Sequence, residues 1–390
     1  MGHWGVSSRA STNSHHIPPL WALHILFLMT GIGTTLVGPI LPLLMRTWQI
    51  HDAQAGILFP AQFLGAFVGG ITVGSHVRRE LLTASAASVF GFILLALAAS
   101  HAGGMHVALL ALLIAGFGIG HMIAVNNIIG GQFPESQRAR TLTLLNLSWS
   151  LGAILSPVLA AWLLPTVPLH TLLGVFAALF ACAGCAVYIH IDSPPPAAEA
   201  AALGSQRSVV IFFGAMLLLY GGVETCMNGW LTTYILRYGD HTLRSSQLST
   251  SLFWIALIAG RGLTAGALSF ISERRLLRLA LGATTFFIAC LLRAQGAFAL
   301  AACAVLLGLS MAPFFPICFS ILMGHAPRAR QAGMVIAVSG IGAALFPWLA
   351  GLLSSHTGSL HIGLIVPLLA AAALWTMSLM LPHLRPASKA

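Results

Sequence analysis

RARTLTLLNLSWSLGAILSPVLAAWL, residues 138–163, returns as RARQAGMVIAVSGIGAALFPWLAGLL, residues 328–353. At a constant offset of 190, without gaps, 10 of the 26 positions are identical. Apolar sequence matches itself at Ala and Leu by chance. Chance does not so easily align Arg138 with Arg328, Arg140 with Arg330, Gly152 with Gly342 and Pro157 with Pro347. A second echo is the basic turn His76-Val-Arg-Arg-Glu80 against Ser272-Glu-Arg-Arg275. The chain therefore reads as two related halves. Between them, residues 192–207 form the one long polar stretch, rich in Pro and Ala, with the composition of a flexible linker. That gives a bundle over 1–191, the linker over 192–207 and a second bundle over 208–390.

Composition says what each half is made of. Hydrophobic residues are 58% of the 390 and charged residues 7%, with a mean hydropathy of +0.92. A water-soluble chain carries roughly a quarter charged residues, so the solvent outside this one is lipid. Within hydrocarbon every backbone polar group must be paired internally, which leaves helices or a closed barrel. Barrel strands alternate in polarity over about ten residues, whereas the apolar runs here are long and unbroken. The fold class expected is all-α integral membrane. A crossing helix needs about 20 apolar residues, and such runs lie near 20–45, 53–75, 82–100, 104–130, 141–164, 169–191, 209–236, 248–270, 277–293, 296–323, 331–354 and 361–382. The first sixteen residues lack the pattern of a cleavable signal.

Twelve spans put both termini on one side. Thirteen cations, from Arg9 to Lys389, lie there, against Arg46, Arg237, Arg244 and Arg293 opposite and Arg261 inside a span. The positive-inside rule places the termini and the linker in the cytoplasm of a cell with an inner or cytoplasmic membrane. The same asymmetry accounts for the net charge of +10, with no continuous basic surface for nucleic acid. The six cysteines fall in apolar spans, and Cys182 and Cys185 lack partner ligands. No nucleophile motif, metal-ligand spacing or phosphate-binding loop is present. The expectation is a non-enzyme without cofactor or metal, acting as a monomer in the bilayer on a small-molecule substrate, with protons as a candidate coupling partner.

Parallel six-helix repeats joined by a cytoplasmic linker resemble the major facilitator superfamily, whose substrate sits near the midplane between halves. Gly70-Ile-Thr-Val-Gly-Ser-His-Val-Arg-Arg79 resembles its loop motif, keeping a glycine and the arginine pair but not the aspartate. More specifically, Tyr220-Gly-Gly-Val-Glu-Thr-Cys-Met-Asn-Gly-Trp-Leu-Thr-Thr-Tyr234 resembles the seventh helix of the fucose permease-like branch. Phe253-Trp254 with Gly260-Arg261 resembles its eighth helix and Met311-Ala-Pro-Phe-Phe-Pro316 its tenth. Gly118, Gly120, Asn126, Asn127, Leu145 and Asn146 resemble its fourth and fifth. The chain departs in its first span, where proton–sugar symporters of the branch carry an acid and Thr30-Gly-Ile-Gly-Thr-Thr35 has none. The resemblance implies sugar transport by alternating access.

The residues themselves point to a polar centre. Glu224 and Arg261 lie near mid-depth of consecutive spans, where each charge costs about 2.5–3.5 kcal/mol unless it faces a cavity or a partner. They either pair, fastening two helices, or line a cavity. Tyr220, Glu224, Asn228 and Thr232 recur every four residues and form one stripe. Trp230 and Tyr234 are stacking or gating candidates, with the interfacial aromatic belt as the alternative. In the first half the candidates are Thr34, Gln62, Asn126, Asn127, Asn146 and Trp149, each equally explained by interhelical hydrogen bonding. His121 reads as a packing histidine or a proton relay. The function expected is a secondary transporter of a sugar or related polar solute, any proton coupling running through Glu224. An exporter of amphipathic compounds and a membrane receptor or scaffold are the rivals.

Overall fold

The computed structural model describes residues 20–381 apart from 75, 101–103, 132, 134, 191–206, 240–241 and 326–328. Nearly all of the linker expected at 192–207 lies outside the described residues. Among the described residues, eleven helices are long and apolar enough to cross a membrane, and one bent pair passes as a twelfth. That pair is α1, made of Leu20–Thr35 and Val37–Trp48, bent by 43°. Then come α2 (Asp52–Ile71), α3 (Val77–Ala99), α4 (Met105–Gly131), α5 (Glu135–Leu163) and α6 (Leu169–His190). The second half holds α7 (Arg207–Tyr238), α8 (Leu243–Ala267), α9 (Glu273–Arg293), α10 (Ala297–Met323), α11 (Ala329–Thr357) and α12 (Leu360–Met380). Phe90, Leu97, Ile189, Leu263, Phe286 and Leu369 are among the large apolar side chains exposed on the outside, the surface expected where lipid is the solvent.

Glycines set how closely the helices approach. A Cβ on Gly65 or Gly69 of α2 would run into the carbonyls of Leu113 and Phe117 on α4. On the α4 side, Gly116 and Gly120 sit just as closely on Gln62 and Ala66. Small residues four apart on both helices let two backbones touch, which is how helices associate where the hydrophobic effect gives no drive.

The offset of 190 extends beyond the matched stretch. Gly152 of α5 packs on Leu28 and Ile32 of α1, and Gly342 of α11 packs on Leu218 and Gly222 of α7. Gly31 faces the Trp149 carbonyl, and Gly221 faces that of Ser339. Every member of the second contact set is 190 residues after its counterpart in the first. Gly38 and Asn228, also 190 apart, meet each other, so the pseudo-twofold axis passes between α1 and α7.

Prolines explain the breaks. Pro39 and Pro42 lie just past the bend in α1, and neither has an N–H to continue the ladder. Pro39 leaves the Thr35 carbonyl free, and Asn228 of α7 donates to it at 3.4 Å. Gln62 of α2 donates to the carbonyls of Gly33 and Thr34 at 3.0 and 3.3 Å. Thr34 and Thr35 also bond back to their own helix, an arrangement that favours bending. In α10 the helix is interrupted at Ala312–Pro313, just before Pro316. Thr34, Gln62 and Asn228, marked from sequence, thus meet where α1 is broken.

Candidate functional site

Glu224 is the centre of the stripe on α7. It is only partly buried, and the Tyr220 hydroxyl donates to its Oε1 at 3.3 Å. Tyr220 is held in turn by Phe314, whose ring stacks on it at 4.2 Å and 8°. The break in α10 delivers that ring. Arg261 comes from α8 and reaches Ser150 on α5, Nη1 to Oγ at 3.4 Å. Its Nε is buried without a hydrogen-bond partner among the described residues. Glu224 and Arg261 are not in ion-pair contact there; the two described pairs are Glu80–His121 and Asp52–Arg237. Arg261 is nonetheless a neighbour of both Glu224 and Tyr220. The ion pair that would fasten α7 to α8 is thus not seen among the described residues.

An aromatic wall adjoins them. Trp149 of α5 meets Trp254 of α8 edge-on, with centroids 5.8 Å apart and planes at 76°. Trp254 donates through Nε1 to the Asn228 carbonyl oxygen at 3.0 Å. Asn228 of α7 is thereby tied to two further helices, its amide on α1 and its oxygen on α8. Trp254 entered the sequence reading only through its resemblance to a helix-8 motif. What positions it is a side chain 26 residues earlier.

The other candidates have different surroundings. Thr232 is buried against Thr250 of α8, hydroxyl to hydroxyl at 2.7 Å. Trp230 is fully buried, donates to the Pro347 carbonyl of α11 at 2.9 Å and packs on Phe59. Tyr234 is also buried, with its hydroxyl 2.7 Å from His361 Nδ1. Lower on α4, Asn126 is buried with both amide atoms unpartnered among the described residues, and Asn127 is exposed. Asn146 is exposed and donates to Leu142 in its own helix. Glu224, Tyr220, Arg261, Asn228 and Trp149, with Ser150, Trp254 and Phe314, are therefore brought together. Thr34 and Gln62 hold the nearby α1 break, while Asn126, Asn127, Asn146, Thr232 and Trp230 lie elsewhere.

Sequence reading missed a polar clasp at one end of the bundle. Asp52, the first residue of α2, takes both guanidinium nitrogens of Arg237 at 2.5 and 2.7 Å, and Ser354 of α11 donates to the same carboxylate. Beside it the Ala53 N–H donates to Ser355. On another flank of that end, Arg244 of α8 stands 3.9 Å over the Trp162 ring of α5. Each contact joins the first half to the second. No sequence signal links Asp52 to a residue 185 positions away.

A family model described as Major Facilitator Superfamily matches residues 23–277. Among curated relatives, the gallate transporter of Pseudomonas putida is 27% identical over 146 residues, which is 36% of this chain and 32% of that one. The niacin transporter of Acinetobacter baylyi is 23% identical over 184 residues, 46% of this chain and 40% of its own length. The matched part thus spans less than half of either relative. Among solved structures, a D-xylose–proton symporter superposes with a TM-score of 0.75 at 13% identity, over 92% of this chain and 97% of that one. A fucose:proton symporter of E. coli gives 0.64 at 18% identity over 94% and 99%.

Proposed function

This chain belongs to the Major Facilitator Superfamily, and from that premise we propose that it carries a small ring-bearing carboxylate across a membrane by alternating access. The observation that carries the substrate class is Arg261. A guanidinium has five donors in a fixed fork, and here Nε has no partner among the described residues while Nη1 makes one long contact. A half-buried guanidinium that neighbours Tyr220 but keeps a buried Nε–H without an acceptor is stabilised by an anion, and a carboxylate fits the fork bidentately. The edge-on Trp149–Trp254 pair supplies an apolar wall for a ring. Gallate and niacin, for which the two relatives are named, are both rings bearing a carboxylate. Glu224, oriented by Tyr220, accepts a hydrogen bond from the solute or takes the coupled proton.

The cation asymmetry supports cytoplasmic termini and an inner or cytoplasmic membrane. With that orientation the clasped end faces away from the cytoplasm. Single cysteines at Ser205 and Ser388, in a background without the native cysteines, should then resist impermeant thiol reagents in intact cells.

Uptake by proteoliposomes tests the substrate class. Radiolabelled gallate, nicotinate and 4-hydroxybenzoate are compared with xylose, in wild type and in Arg261→Gln. Carboxylate uptake that Arg261→Gln abolishes is the expected result. Uptake of xylose alone would return the substrate to the neutral sugars that the helix-7 and helix-8 motifs imply.

A further inference from the structure

His121 lies on α4, fully within the bundle at 2% exposure, and both of its ring nitrogens face acceptors. Nδ1 is 2.9 Å from the Gly69 carbonyl near the end of α2. Nε2 is 2.8 Å from Glu80 Oε2 in the first turn of α3. A carbonyl oxygen has no proton to give, so Nδ1 carries one. The contact at Nε2 then needs a second proton, held either by the imidazole or by the carboxyl. Counted this way, the pair binds one proton beyond what a neutral imidazole and a carboxylate hold together.

We propose that His121 and Glu80 form a proton-binding site of the first half, separate from Glu224, whose proton fastens the end of α2 and the start of α3 to α4. Removing that proton leaves a carboxylate facing an imidazole lone pair at hydrogen-bond distance, and the contact opens. Glu80 is 17% exposed against 2% for His121, so the proton leaves to solvent through Glu80. The turn between α2 and α3 rests on the same carboxylate, since a Cβ on Gly74 would come within 2.8 Å of Glu80 Oε1. Opening the pair therefore frees the turn.

Among the described residues, other charged groups near the pair are turned elsewhere or exposed, His76 before α3 among the latter. On α3, Arg78 is turned away to the Tyr188 carbonyl and ring on α6, and Arg79 is exposed. From α2 the described contact to His121 is a backbone carbonyl. On α1, His24 is bonded to Ser148 of α5, and Arg140 of α5 is exposed. The pair sits in the part of the bundle away from the clasp, since Asp52 opens α2 and Gly69 nearly closes it.

Thermal unfolding of the purified full chain in detergent, without substrate, tests this. Wild type, Glu80→Gln and His121→Gln are melted across the range in which histidine titrates, about pH 5 to 8. In Glu80→Gln the new amide can donate to a neutral His121 and keep the contact without the extra proton. Wild type is expected to lose several degrees of Tm relative to Glu80→Gln as pH rises, with His121→Gln flattened like Glu80→Gln. A constant offset at every pH, for whichever variant is recovered, would overturn the proposal. So would a wild-type Tm that does not change over the range.

Discussion

At the scale of single residues, the centre turns on how Arg261 is used. Lysine at this position keeps the charge but not the fork. A hydrogen bond to a charged group is worth about 1.5–3 kcal/mol, so Arg261→Lys should raise KM for a carboxylate about tenfold or more while leaving neutral solutes unaffected. Uptake kinetics in proteoliposomes check this, and an unchanged KM would place the carboxylate elsewhere. Glu224→Gln is the companion experiment. It should abolish accumulation driven by a pH gradient while sparing exchange at equal concentrations; a variant that still accumulates solute removes Glu224 from coupling. Glu224 and Arg261 were legible in the sequence because a charge inside an apolar run is costly and needs a reason. Their relation was not, since it depends on Tyr220 and Phe314, and Phe314 is aimed by a helix break. Thr34 stands 190 residues before Glu224, so the first half carries a hydroxyl where the second carries its carboxylate. The clasp was illegible for another reason. Asp52 and Arg237 sit at span ends, where single charges are ordinary.

At the scale of helices, the repeat was legible and its reach was underestimated. Sequence similarity showed it in α5 and α11, where arginines, glycine and proline coincide. In α1 and α7 few side chains agree, yet the backbone contacts of Gly31 with α5 and Gly221 with α11 are equivalent. Packing kept the approach distance through glycine and let the facing side chains diverge. That makes two positions critical. A methyl group at Gly152 or Gly342 meets carbonyl oxygens of the neighbouring helix, and backbone cannot rotate away as a side chain can. Gly152→Ala and Gly342→Ala should each cost about 1–3 kcal/mol, the range for overpacking, and lower Tm. Gly174 is the control, because a Cβ there meets nothing within 4 Å. If Gly174→Ala lowers Tm as much as the other two, the equivalence of the α1–α5 and α7–α11 contacts carries no stability.

At the scale of the whole molecule, the clasp ties the two halves together at one end. Asp52 with Ser354 and Arg237, the Ala53–Ser355 bond, and Arg244 over Trp162 all cross between halves at one end. Alternating access requires that these contacts break while others form, so they bias the equilibrium without being part of the solute site. Asp52 is 9% exposed and Arg237 36%, which makes the pair only partly shielded from water. A partly exposed pair is worth roughly 1 kcal/mol, enough to shift a two-state population by about fivefold. Asp52→Asn keeps the size of the side chain and removes the charge. With a cysteine introduced at Thr34, in a chain without native cysteines, labelling by an impermeant thiol reagent in intact cells reports opening of the clasped end. Asp52→Asn should label about five times faster than its parent, and restoring charge as Asp52→Glu should slow it again. Equal rates would mean the clasp does not set the equilibrium. Rapid labelling in the parent itself would reverse the orientation, putting the open end outside the cell and the clasp toward the cytoplasm.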